Sequence, residues 1–191
     1  MIRTATLCLY ERWLEAPPTP VALPAGVVVQ ILRAPATTAF AGPAHPRAEH
    51  RLQEGEACAV ARHGADAIAY CWLTWEPVWV EEVRRVLVPA PDEVYAYDAF
   101  TVPDWRGRAL FPALLSRLHE FARAEGRSRA MVFALDRNVA SRRAIEHAGF
   151  SLFGTVTRLD LWGLERLRFR GFTSRRSRPT LVLPSATAPR R

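Results

Sequence analysis

Lysine is absent from this chain: all 26 of its Lys-or-Arg positions are arginine. No lysine amine is available for a Schiff base, for anchoring a cofactor, or for the phosphate contact of a P-loop. Cysteine is scarce. Cys8, Cys58 and Cys71 share no metal-ligand spacing, which reads as reduced thiols in a cytoplasmic protein. His45, His50, His63, His119 and His147 show no such spacing either, and no metal is expected. Long apolar runs are missing too, since nothing approaches the ~18 residues that would span a bilayer. Near the N-terminus, Glu11 and Arg12 interrupt the apolar stretch that a signal peptide would need. Asparagine occurs once, at position 138.

What is present has the composition of one globular domain. Of 191 residues, 49% are hydrophobic and 24% charged, which suits a packed core and not a disordered chain. The formal charge of +7 is unevenly spread. Residues 166–191 hold eight arginines and no acid, so the remainder sets 18 arginines against 19 acids. The basicity therefore belongs to the C-terminal segment, and the domain itself gives no sign of a nucleic-acid surface. Binding of a polyanion through that arginine-rich tail stands as an alternative role.

Residues 1–25, with Pro17, Pro18, Pro20 and Pro24, read as an irregular N-terminal extension or a short helix and an arm. The domain is expected over residues 26–172. Val27 to Leu32 is β-branched and apolar, a first strand. Pro46 can open a short helix through Glu49, Leu52 and Gln53. Ala57 to Arg62 and Ala67 to Thr74 flank His63-Gly64-Ala65-Asp66 as a hairpin. A mixed segment with Trp75, Trp79, Glu81 and Glu82 follows. Val94 to Val102 reads as a strand and Arg108 to Glu125 as a helix, its stripe at Phe111, Leu114, Leu115, Leu118, Phe121 and Ala122. Ala130 to Leu135 is a short buried strand, Asn138 to Ala148 a second helix, and 150–162 with 167–172 a closing strand pair. The basic tail from Thr173 is expected to be disordered. This order implies a mixed α/β (α+β) fold with helices packed on both faces of the sheet.

Chemistry concentrates in Val102-Pro103-Asp104-Trp105-Arg106-Gly107-Arg108-Ala109-Leu110. A strand here runs into a tight turn that opens a helix, and such a turn aims unpaired N–H groups and the positive end of the dipole at one spot. That spot suits a pyrophosphate. Gly107 lets the backbone approach it, and Arg106 and Arg108 add bidentate donors. About thirty residues on stands Asn138-Val-Ala-Ser141-Arg-Arg-Ala144-Ile145-Glu-His-Ala-Gly149-Phe150. Read locally, Asn138 and Ser141 are either a helix cap or a ligand contact.

Together, PDWRGRAL at 103–110 and NVASRRAIEHAGF at 138–150 resemble the two signatures of the GNAT acyltransferase superfamily. The resemblance covers roughly residues 26–172. It implies a central mixed, mostly antiparallel sheet whose fourth and fifth strands, here 94–102 and 130–135, splay around a thioester. It also implies acetyl-CoA as cosubstrate and a small-molecule or peptide amine as acceptor, with a homodimer left open. The backbone near Val102 would hold the pantetheine arm, Arg106, Gly107, Arg108, Ala109 and Leu110 the pyrophosphate, and Asn138 and Ser141 the pantetheine or phosphoadenosine portion. Three positions depart from the pattern. Asp104 stands where Gln or Arg is usual, Ala109 replaces the commoner glycine, and Ile145 replaces a tyrosine that protonates the leaving thiolate in many relatives. A member that binds acyl-CoA without turning it over is a second alternative.

An amine must lose a proton before it attacks, so a carboxylate near the splay is needed. Asp98 is the first candidate, because an acid deep in an apolar strand is costly unless it is used or paired to an arginine. Glu93 and Tyr97, with Tyr95, come next. Strand alternation places them on the face opposite Asp98. Trp72, Trp75, Trp79 and Trp105 either line an acceptor pocket or pack in the core.

Overall fold

A computed structural model describes residues 2–34, 47–161, 164–175 and 178–184. The two halves of its main sheet grow from the clearest sequence signals. The hairpin is β3 (Ala57–His63) and β4 (Asp66–Thr74), with Gly64 at its tip taking φ +59°. The first predicted strand, β2 (Val27–Leu32), pairs on its outer side, and β7 (Glu93–Thr101) pairs antiparallel with β4. β8 (Arg129–Leu135) then lies parallel to β7.

The extension expected over residues 1–25 is corrected for Ile2–Trp13, which forms a 12-residue strand, β1. It lies in mid-sheet between β8 and β9 (Ser151–Leu161). Leu7 and Leu9 are buried on one face, Cys8 and Tyr10 on the other. With both faces covered, the strand has no apolar/polar alternation to announce it. β10 (Leu164–Arg170) closes the eight-stranded sheet, in the order β10-β9-β1-β8-β7-β4-β3-β2. Among the described residues its only parallel pair is β7–β8, so the fold is the expected mixed, mostly antiparallel α+β type.

Helices cover both faces. The stripe of α2 (Leu110–Ala124) packs with the alanines of β3 and with Val94 and Ala96 of β7, and Ile145 of α3 (Val139–His147) joins that core. On the opposite face, α1 (Ala48–Gln53) packs Ala48 and Leu52 against Cys58, Val60 and Trp72.

One further expectation, the disordered tail, needs correction. The mixed segment after Thr74 contributes β5 (Val78–Val80) and β6 (Arg85–Val88), and the tail contributes β11 (Thr180–Val182). These form a three-stranded second sheet, ordered β11-β6-β5, over Leu7, Leu9, Met131 and Phe153. The tail is ordered where described. Ser174 donates to Glu11 at 2.6 Å, Arg175 pairs with Glu15 at 3.0 Å, and Arg178 stacks on Phe169 and Phe172. Arg175, expected in a disordered extension, thus has a partner distant in sequence. Residues 176–177 and 185–191 of the tail lie outside the described residues.

Candidate active site

The site begins where β7 and β8 part. They pair from Glu93 opposite Arg129 to Ala96 opposite Val132, and β7 past Ala96 has no partner on that side among the described residues. A cause is visible in the backbone. The β4–β7 register shifts between Tyr70 and Trp72, and Asp98 takes φ +46°. Such a bulge bends the strand and ends its pairing. A left-handed residue is costly for an L side chain, least so for Asp or Asn.

The bulge also overturns the expected alternation. Arg51 of α1 donates to Asp98 Oδ2 at 2.6 Å, and its guanidinium lies 5.0 Å from the ring centroids of both Trp72 and Tyr97. Asp98 and Tyr97 therefore meet the same arginine on one side of the sheet. The Tyr97 hydroxyl donates to Glu56 Oε2 at 2.7 Å, and Tyr95 stacks on Tyr97 with centroids 5.7 Å apart. Burial first, and the Glu56 carboxylate second, push the Tyr97 phenol well above its usual range. Glu56, itself buried, has no signal in the sequence, because a single acid before an apolar strand has no periodicity.

Glu93 is elsewhere. At the start of β7 it faces Arg129 at 2.6 Å, and Arg129 also holds Glu11 at 2.6 Å, all three nearly excluded from solvent. This triad ties β1, β7 and β8 together at the end of β7 away from the splay.

At the other end of β7 lies the predicted turn. The Val102 N–H donates to the Ile68 carbonyl, and its own carbonyl accepts from Trp105. Both backbone groups of Val102 are thus engaged within the protein. Pro103–Trp105 form one 3₁₀ turn, and the Arg106 side chain reaches back to the Thr101 carbonyl at 3.2 Å. Gly107 has φ +74°, with no atom within 4 Å of where a Cβ would stand. Ala109, the residue before α2, has φ +56°. Ala113 donates back to Ala109, but the N–H groups of residues 107–111 make no backbone hydrogen bond among the described residues. Left-handed residues on either side of Arg108 curl this row of donors into a concave nest. Arg108 stacks 4.8 Å from the Trp105 ring, and Trp105 meets His63 at 4.9 Å.

α3 supplies the third wall. Asn138, exposed, is its cap, accepting from the Ser141 N–H at 3.1 Å. Ile145 is buried in the helix-side core, 1% exposed. The four tryptophans do not gather. Trp72 lies beneath Arg51, Trp75 beside Arg33 and Arg127, Trp79 against Glu81, and Trp105 at the turn.

A strand splayed from its parallel neighbour thus stands beside a helix-opening donor nest. The model of the GNAT acetyltransferase family matches residues 27–150, well over half of the sequence. The chain belongs to the GNAT family.

Solved structures agree on the fold of this GNAT protein. A GCN5-related N-acetyltransferase from Sphaerobacter thermophilus is 14% identical with a TM-score of 0.57, covering 81% of this chain and 50% of its own. A putative GNAT-family acetyltransferase from Novosphingobium aromaticivorans is 21% identical with a TM-score of 0.53, covering 81% and 63%. A GCN5-related N-acetyltransferase from Kribbella flavida is 12% identical with a TM-score of 0.55, covering 83% and 59%. This chain thus spans about half to three-fifths of those proteins' lengths. No curated protein matches the sequence. No described helix is long and apolar enough to cross a membrane, and the described residues hold no cluster of metal-ligating side chains.

Proposed function

We propose that this GNAT protein is an acyl-CoA-dependent N-acyltransferase that moves acetyl from acetyl-CoA to a primary amine by direct attack in a ternary complex. The observation that carries the reading is the turn at 106–110. Its donors are unclaimed, Gly107 opens onto empty space, and two arginines flank it. These residues fit a pyrophosphate, which needs several N–H donors and positive charge at close range.

Bound acetyl-CoA supplies an activated carbonyl. The chain's own residues bind, orient and handle protons. Arg106, Gly107, Arg108, Ala109 and Leu110 hold the diphosphate, and Asn138 and Ser141 meet the pantetheine or phosphoadenosine portion. The Val102 backbone is already bonded, so the open edge of β7 between Tyr97 and Thr101 is the better partner for the pantetheine amides. Asp98 takes the amine proton at Oδ1 or Oδ2, directly or through a water, while Arg51 fixes its orientation. Tyr97, held by Glu56, is a second group for orienting that water, and the triad leaves Glu93 as the most distant candidate. A buried isoleucine at 145 has no proton to give, so the departing thiolate is protonated from solvent. The acceptor is a small-molecule or peptide amine, and the setting cytoplasmic.

One second reading has an observation in its favour. With Ile145 buried and Asp98 engaged by Arg51, the same site would bind acyl-CoA without turning it over. Thermal unfolding with CoA, joined to an acetyl-CoA turnover assay on a panel of amines, separates these cases. At a hundredfold over its dissociation constant, CoA is expected to stabilise the native protein by about 2.7 kcal/mol. Gly107→Val is expected to abolish the shift. Absence of a shift in the unaltered protein at millimolar CoA would sink both readings, and a shift without turnover leaves the binding protein.

A further inference from the structure

Part of the positive charge of the C-terminal segment sits on a strand, β10. Along β10 exposure alternates strictly. Leu164, Arg166, Arg168 and Arg170 point outward, while Glu165, Leu167 and Phe169 are partly buried. The outward residues stand opposite Leu161, Leu159, Thr157 and Thr155 of β9. Thr155 and Thr157 in turn oppose Cys8 and Thr6 of β1, so the arginine row lies on the face that α2 and α3 cover. None of the three arginines has a carboxylate partner among the described residues. β10 is also the terminal strand of the sheet, and its outer edge has no strand partner among the described residues. Two independent features coincide here: an unpaired main-chain edge and a row of cations spaced about 6.6–6.8 Å apart, two residues of strand rise.

We propose that this edge is a docking site for an extended acidic peptide, which adds to the sheet beside β10 with carboxylates opposite Arg166, Arg168 and Arg170. Main-chain hydrogen bonds supply the attachment, and cross-strand ion pairs supply the selectivity. Leu164, 74% exposed on the same face, offers an apolar contact at one end of the row. The same geometry rejects a second copy of this chain. A two-fold antiparallel pairing of β10 with itself keeps both arginine rows on one face and sets arginine against arginine, which is repulsive. A nucleic-acid backbone answers the charge but not the edge, because phosphodiesters carry no donors for the outward carbonyls of β10. The charges also keep neutral apolar strands from stacking on this edge.

The test uses the full-length protein and labelled peptides of β10's length, 7 residues, alternating Glu and Val, with binding read by fluorescence anisotropy. The Glu peptide is expected to bind in a salt-dependent way. Replacing its Glu by Lys, or methylating its alternate backbone amides, is expected to weaken binding by about tenfold or more. Arg168→Glu should do the same while leaving the CoA-induced thermal shift in place, and Arg168→Gln serves if the reversal of charge impairs folding. If the methylated peptide binds as well as its parent, charge alone is at work and strand addition is wrong. Indifference to both Arg168 variants overturns the site. If a single-stranded oligonucleotide binds through Arg168 and the peptide does not, the surface is a nucleic-acid one instead.

Discussion

At Ala109 and Asp98 the backbone adopts a left-handed conformation that side chains resist, and each lies at an edge of the candidate site. Ala109 gains nothing from its methyl group that compensates a positive φ. Ala109→Gly is expected to stabilise the fold by about 0.5–1 kcal/mol, read as a rise in melting temperature. Asp98 is different, because its carboxylate is used. If it takes the amine proton, Asp98→Asn should retain the fold and CoA affinity but lower turnover by ~10²–10⁴, with the deficit shrinking as pH rises. If it serves only to neutralise Arg51, the same change should lower the melting temperature and leave turnover per folded molecule nearly unmoved. A pH–rate profile and a melting curve on this one variant decide between them.

Among the elements, the segment between β1 and β2 behaves as a strap across the helices. Arg12 bonds to Thr19, to Pro17 and to the Ala148 carbonyl at the end of α3, and Ser116 of α2 bonds to the Thr19 carbonyl. His119 of α2 holds the Ala16 carbonyl at 2.9 Å, which requires a proton on Nε2. Burial, and then the nearby Arg12, lower the His119 pKa below its ordinary value, so the ring is held neutral in the fold. The unfolded chain takes up a second ring proton near pH 6.5. The contribution of His119 to stability is therefore complete above about pH 6.5 and fades as pH falls toward the lowered folded value. Melting curves between pH 5 and 7 should slope less for His119→Gln than for the unaltered protein. Equal slopes would remove His119 from the account.

Arg129 acts between elements in the same sense. Arg129→Met strips two buried carboxylates of their shared cation and is expected to cost about 3–5 kcal/mol. Glu93→Gln should lower stability and leave turnover per folded molecule intact, and a collapse of turnover would return Glu93 to the proton path.

Over the whole molecule, what could be read in advance depended on range. The turn from β7 into α2, the β3–β4 hairpin and the stripe of α2 are local, each encoded within a few residues, and they appear where expected within a residue or two. The small sheet built from Val78–Val80, Arg85–Val88 and Thr180–Val182 is the opposite case. Its strands are short and its outer members lie about a hundred residues apart, so no window of sequence contains it.

By itself the sequence determined the order of the main elements, the family and the residues of the phosphate-type turn. Glycine and left-handed requirements, cap chemistry and helical periodicity are properties of neighbours in the chain. The tertiary structure alone decided that Ile2–Trp13 runs through mid-sheet, because burial on both faces erases alternation. It alone set Asp98 against Arg51 and beside Tyr97, because a bulge reverses the face that strict alternation predicts. And it set the arginines of the second closing strand in a row along an edge with no strand partner among the described residues, since a strand's outer face exists only once its neighbour is in place.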